Sequence, residues 1–174
     1  MKTIEIRRHS MRSVPKEHLN QEGVTLARLV GQNLGPFDRV ITSTFPRALE
    51  TAIAMGFAVD KQLELMSTYG PGVEAEMPWP QSFEGYAEAI RRGGAVKKYG
   101  EKLVKVYQDL EDYLSDGRAA LVVNHGGIVE IGAVACLAAT GLQLKGKAVN
   151  YCEGVRLFWV DGKCVKAEIL RVSI

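Results

Sequence analysis

The run AALVVNHGG at positions 119–127 constrains the fold more than any other stretch of the chain. Its apolar residues follow one another without polar alternation. That is the pattern of a strand buried on both faces, which needs a covering layer above and below. Such strands occupy the middle of parallel sheets flanked by helices. Where this one stops, it presents an asparagine, a histidine and two glycines.

The rest of the sequence supplies the layers. KTIEIRR alternates and reads as a first strand. NQEGVTLARLVGQNLG sets Val24, Leu26, Ala27, Val30 and Leu34 near one helical face, with Gly35-Pro36 as a stop. DRVITS is a short β-branched strand. TFPRALETAIAMG reads as a helix, with Thr44 as cap, Pro46 in the first turn and Gly56 at the end. QLELM is a weak third strand. AVKKYGEKLVKVYQDLEDYLSDG carries Val96, Leu103, Val106, Tyr107, Leu110, Tyr113 and Leu114 at helical spacing. A helix from about 127 to 139 follows the buried strand, and two last strands flank an Asp161-Gly162 turn. This order predicts an α/β fold: a three-layer α/β/α sandwich with a mostly parallel sheet and an antiparallel pair at its edge.

Residues 66–96 break the pattern, with Pro71, Pro78, Pro80 and five glycines. They read as a lid-like excursion from a single domain spanning 1–174, with a short helix at 83–92. A chain of 174 residues suits one domain. Its net charge of +2 exerts no general pull on nucleic acid or on an anionic membrane, so neither is expected as a partner. Cys136, Cys152 and Cys164 are odd in number and lack CxxC spacing, which fits a reducing, cytoplasmic compartment. The N-terminus lacks the apolar core of a signal peptide. The longest apolar stretch, IVEIGAVACLAATGL, is too short to cross a bilayer comfortably.

Polar clusters stand where strands end. Arg8 and His9 close the first strand, STFPR leaves the second with Arg47 one turn into its helix, and NHGG leaves the buried strand at His125. Ligands of open α/β sheets bind outside the carboxyl ends of the strands. Two arginines, two histidines and helix N-termini gathered there suit a doubly charged phosphoryl group, and a histidine can serve as nucleophile. Each residue also has a plainer reading. Arg8 and His9 could form a surface cluster, Arg47 could cover a helix flank, and His125 could be a satisfied core histidine. Arg7 reads as a residue of the opposite strand face, ion-paired or solvated, and His18 as a surface residue. Arg12 divides between surface arginine and contact to a substrate tail. Trp79, Phe83 and Tyr86 divide between packing and a substrate wall. A metal site on His9, His18 and His125 is a rival, but no helical His pair or Cys-His spacing supports it, and adjacent arginines repel a cation.

Taken in order, Arg8-His9-Ser10, LNQEGVTLA at 19–27, STFPRALETA at 43–52 and His125-Gly126-Gly127 resemble the motifs of the histidine phosphatase superfamily, the phosphoglycerate-mutase-like proteins. The resemblance runs over nearly the whole chain. It implies that His9 attacks phosphorus and becomes a phosphohistidine, which water then hydrolyses. It implies that Arg8, Arg47 and His125, with Gly126, hold the phosphoryl oxygens, and that neither metal nor other cofactor is required. His9 must then attack through a neutral nitrogen, its other nitrogen bonded to an acceptor, a backbone carbonyl being the natural one.

Two departures stand out. Ser10 replaces the family's glycine, which is tolerable if the backbone there avoids positive φ. Met66 falls where many members carry an acidic proton donor, leaving Glu64, Glu74 and Glu76 as candidates, of which Glu74 in the excursion is preferred. Without a carboxylate in reach, substrates with good leaving groups such as phosphohistidine or an acyl phosphate are favoured. The expected activity is hydrolysis of a phosphorylated small molecule or of phosphohistidine on a protein. A mutase-type phosphotransferase and a non-catalytic phosphate-binding module are the alternatives. The exposed edge of the C-terminal hairpin offers a route to a homodimer.

Overall fold

A computed structural model describes residues 1–173 of the chain. Strands β1 (Lys2–Arg8), β2 (Arg39–Thr42), β3 (Lys61–Gln62), β4 (Ala119–Asn124), β5 (Gly154–Val160) and β6 (Lys163–Leu170) form one sheet. Their order is β3-β2-β4-β1-β5-β6. The first four in that order run parallel, and β5 and β6 add an antiparallel pair at the edge. The layers and the antiparallel edge agree with the sequence pattern.

The uninterrupted apolar run of β4 has a direct cause. Ala120 and Val122 turn to one face of the sheet and Leu121 and Val123 to the other, and all four are fully buried. On one side lie α1 (Gln21–Gly31) and α2 (Pro46–Ala54), whose Leu26, Ala27, Ala48 and Ala52 are buried. On the other lie α3 (Gly70–Glu76), α4 (Phe83–Arg92), α5 (Ala95–Tyr113) and α6 (Ile128–Leu137). They share the large core of Ile4, Ile6, Val122, Leu103, Tyr107 and Ile131. α6 is apolar almost all round because sheet, α4 and α5 enclose it.

Three local expectations change. The strand read over QLELM stops at Gln62, and Glu64–Met66 turn into a single 3-10 turn. The neighbouring β2 ends at Thr42, the partner of Gln62, so no backbone remains for a longer strand to pair with. Thr44 does not cap α2. Its hydroxyl bonds Glu64 (2.5 Å) and Ser67 (2.7 Å) instead, and Phe45 stands at the cap with no side-chain bond. α1 ends at Gly31 rather than Gly35, and Gly31 lies against the Met55 backbone, where an added Cβ would sit 2.2 Å from the carbonyl oxygen.

The 66–96 segment holds α3 and α4, with α4 at the expected place. It is tied into the core by Val73, Phe83, Tyr86 and Ile90. Among the described residues, no helix is long and apolar enough to cross a membrane.

Candidate active site

The parallel register brings the site together. Arg8 pairs with Asn124 and Thr42 with Val123, so β1, β4 and β2 finish side by side. The next residue of each strand then faces the same space: His9, His125 and Ser43. The His9 amide donates to the Asn124 carbonyl (2.9 Å) and the Ser43 amide to the Val123 carbonyl (3.1 Å), extending the ladder by one step. The two imidazoles lie with centroids 5.2 Å apart. Arg47 enters from the first turn of α2, where Pro46 fixes the helix start.

Alternation along β1 separates its two arginines. Arg7 turns away from the site, as read from the sequence, and is buried in a pair with Glu5 (2.5 Å). Arg156 joins the same carboxylate (2.9 Å). Arg8 turns to the α6 side. Its guanidinium lies over the ring of Tyr151 at 4.4 Å and that of Trp79 at 5.2 Å. Arg47 rides on Phe45 at 4.5 Å, and the same phenyl ring meets His125 edge-on at 5.3 Å. Aromatic faces thus lie against both cations and flank the two imidazoles.

Hydrogen bonds fix the tautomer of His9. Its Nδ1 lies 2.7 Å from the Ser10 carbonyl, which can only accept, so Nδ1 carries the proton and Nε2 keeps its lone pair. This is the backbone-carbonyl acceptor anticipated above. Burial pushes the His9 pKa down to about 3, against the pull of the Ser10 bond and with help from the charges of Arg8, Arg47 and Arg12. Burial likewise takes His125 to about 2, aided by His9, Arg47, Arg8 and Arg12. Both rings are neutral at neutral pH in the free protein. His125 Nε2 lies 2.7 Å from the Ser43 hydroxyl, and its Nδ1 is buried with no partner among the described residues. Arg8 Nε and Arg47 Nε are in the same condition: buried donors with no acceptor. Arg47 spends its outer Nη1 on Glu17 (2.8 Å), and Arg8 its Nη1 on the Val149 carbonyl (3.2 Å).

Ser10 is wholly buried and is not among the residues with positive φ. Its hydroxyl donates to the Gly23 carbonyl (2.7 Å) and its amide to Thr51 Oγ1 (2.9 Å). The serine thereby anchors the histidine loop to α1 and α2. Gly126 and Gly127 are required by close approach. A Cβ on Gly126 would lie 2.5 Å from the Trp79 ring, and one on Gly127, at φ +84°, 2.7 Å from the Tyr69 ring.

The three candidate acids part company. Glu74 lines a cavity of about 540 Å³ together with Phe45, Arg47, Tyr69, His125 and Gly126. It accepts the Tyr69 hydroxyl at 2.5 Å. Glu64 bonds Thr44. Glu76 accepts the amides of Ala95 (2.8 Å) and Val96 (3.3 Å) and so caps α5. Met66 is fully buried. Of the aromatic trio, Phe83 and Tyr86 are core, and Trp79 reaches Arg8 and Gly126.

Sequence reasoning missed Ser43, Glu17 and Tyr151. Ser43 opens the STFPRALETA stretch directly after β2, which is a usable signal. Glu17 and Tyr151 lie in irregular segments whose placement no local pattern announces. Among the described residues, no cluster of three or more His, Cys, Asp or Glu side chains could hold a metal ion.

No family model and no curated protein matches the sequence. Solved structures do match over nearly its full length. A phosphoserine phosphatase from Entamoeba histolytica, in complex with 3-phosphoglyceric acid, superposes with a TM-score of 0.67 at 16% identity, covering 99% of this chain and 98% of that one. Bacillus stearothermophilus YhfR gives 0.62 at 19%, with 95% of each chain covered. The protein histidine phosphatase SixA, complexed with tungstate, gives 0.63 at 13%, over 97% of this chain and 96% of that one. The fold is that of the phosphoglycerate-mutase-like histidine phosphatases.

Proposed function

We propose that the chain is a histidine phosphatase that hydrolyses phosphomonoesters, or phosphohistidine on a protein, through a phosphohistidine formed on His9. One observation carries the reading. His9 presents an unprotonated Nε2 in a site where Arg8 Nε and Arg47 Nε are buried donors without a protein acceptor, and where the buried, unpartnered His125 Nδ1 becomes a third once Ser43 donates to Nε2. Buried polar groups without partners are costly. A tetrahedral dianion with several acceptor oxygens answers all three at once.

In the first step the His9 Nε2 lone pair attacks phosphorus, and the bond from phosphorus to the leaving group breaks. Arg8 and Arg47 offset the charge on the equatorial oxygens. His125 donates from Nδ1, which requires that Ser43 donate its proton to Nε2. The Ser10 carbonyl stabilises the positive charge that His9 acquires. In the second step water attacks phosphorus and the P–N bond breaks, returning the lone pair to Nε2. Glu74 takes the water's proton, a role that fits its place in the wall of the cavity it shares with Arg47 and His125. For an ester, Glu74 enters the cycle protonated and gives its proton to the leaving oxygen in the first step, and the water's proton restores the acid in the second. For phosphohistidine the imidazole leaves readily and little acid help is needed. The SixA likeness makes such a substrate worth testing beside small phosphate esters.

The test is hydrolysis of an aryl phosphate in the presence of a chelator. Wild type is expected to turn over, and His9→Ala to lose about 10³-fold or more. Undiminished turnover by His9→Ala would remove the nucleophile assignment. Phosphate binding without turnover in wild type would leave a binding module instead.

A further inference from the structure

Glu130 has no part in the chemistry just described, yet it is fully buried in the first turn of α6. One of its oxygens caps the start of its own helix and the other reaches a separate segment. Oε2 accepts the Gly127 amide at 2.7 Å, two residues past His125. Oε1 accepts the Val149 amide at 2.7 Å, in the connection between α6 and β5. Val149 in turn offers its carbonyl to Arg8 Nη1. Two residues further on, the Tyr151 ring lies under the same guanidinium.

Arg8 depends on these contacts because it has no ion pair. Among the described residues, no carboxylate oxygen lies within 4.0 Å of its guanidinium nitrogens. The other acidic group that Arg8 feels, Glu153, is spent on Asn150, Arg171 and Val172. Burial raises the Glu130 pKa to about 7, while the amides of Val149 and Gly127 and the charge of Arg8 hold it back.

We infer that Glu130 is a positioning residue for phosphate recognition: its buried carboxylate clamps the His125-Gly126-Gly127 turn to the 147–151 connection and thereby fixes the guanidinium of Arg8. The inference rests on the reading of Arg8 as a phosphate ligand. It assigns the geometry of that ligand to a residue that never touches the anion. Glutamine cannot replace the clamp, because its amide oxygen accepts one backbone N–H while its NH₂ opposes the other. Aspartate keeps the charge but is one methylene short of spanning both segments.

The test is calorimetric titration of inorganic phosphate into wild type, Glu130→Gln, Arg8→Gln and the double variant, with melting temperatures recorded for all four. Glu130→Gln is expected to weaken phosphate about tenfold, equivalent to about 1.4 kcal/mol. The double variant is expected to bind no more weakly than Arg8→Gln alone, because Glu130 acts through Arg8. A Glu130 with a purely structural role would lower the melting temperature yet let the two affinity losses multiply, and that result overturns the inference. So does wild-type affinity in Glu130→Gln. Should Glu130→Gln fail to fold, Glu130→Asp replaces it in the same cycle with the same two outcomes. If wild type itself binds no phosphate, the reading of the whole site falls and this inference with it.

Discussion

His9 shows how much a single side chain owes to its hydrogen bonds. One backbone carbonyl decides which nitrogen is free, and burial beside two arginines keeps the ring unprotonated. Glu17 works against the same charge field. Its carboxylate, half-exposed, holds Arg47 Nη1 at 2.8 Å and lies 3.9 Å from Arg12. An anion arriving at Arg47 therefore meets a fixed negative charge nearby. Glu17→Gln removes that charge and leaves the side chain's shape. At the dielectric of a protein surface this is worth about 1 kcal/mol or less, so phosphate should bind up to about fivefold tighter. Product-inhibition constants for the two proteins check it. Weaker binding in Glu17→Gln would show instead that the pair serves mainly to aim Arg47.

At the scale of elements, helix ends account for residues that chemistry alone leaves ambiguous. Glu76 was a candidate acid, but α5 begins beneath it and takes its carboxylate at the amides of Ala95 and Val96. A carboxylate there satisfies two orphan donors and opposes the helix dipole. Glu76→Gln should cost about 1 kcal/mol of stability, read from urea unfolding, with kcat on an aryl phosphate unchanged. Loss of kcat with unchanged stability would return Glu76 to the list of acids. Thr44 teaches the reverse lesson. It is a capping residue type, but it stands one position before the cap, and Ser67 and Glu64 take its hydroxyl.

On the scale of the whole molecule, the site is a charge cluster that folding must dry out. In the unfolded chain a histidine takes up its proton near 6.5. In the folded protein His9 does so only at about 3 and His125 at about 2. Between those limits the unfolded state binds more protons, so stability falls as pH drops from about 6.5 toward 3. The melting temperature should decline across that window, and His125→Asn should flatten the slope by removing one of the two groups. A melting temperature that stays level from pH 7 to pH 4 in wild type would contradict burial of neutral imidazoles. Bound phosphate should oppose the decline, since an anion favours protonated partners.

The layered architecture was legible in the sequence because it follows from local rules. The double-sided burial of Leu121, Val122 and Val123 dictates a covered parallel sheet, and strand exits at Arg8, Thr42 and Asn124 follow from where the apolar runs stop. Four of the candidate residues could be named because each closes a strand or opens a helix, and parallel register carries such ends to one place. The short third strand was not legible, since its length depends on where β2 ends. Nor was the sorting of Glu64, Glu74 and Glu76, because a carboxylate's role is set by what folds against it. Glu17, Tyr151 and Glu130 reach Arg47 and Arg8 from segments 30 and more residues away in the chain. Sequence determined the strands and their polar ends, since those depend on periodicity and burial. Tertiary structure alone decided which donors are left unpaired, because that depends on every long-range neighbour at once.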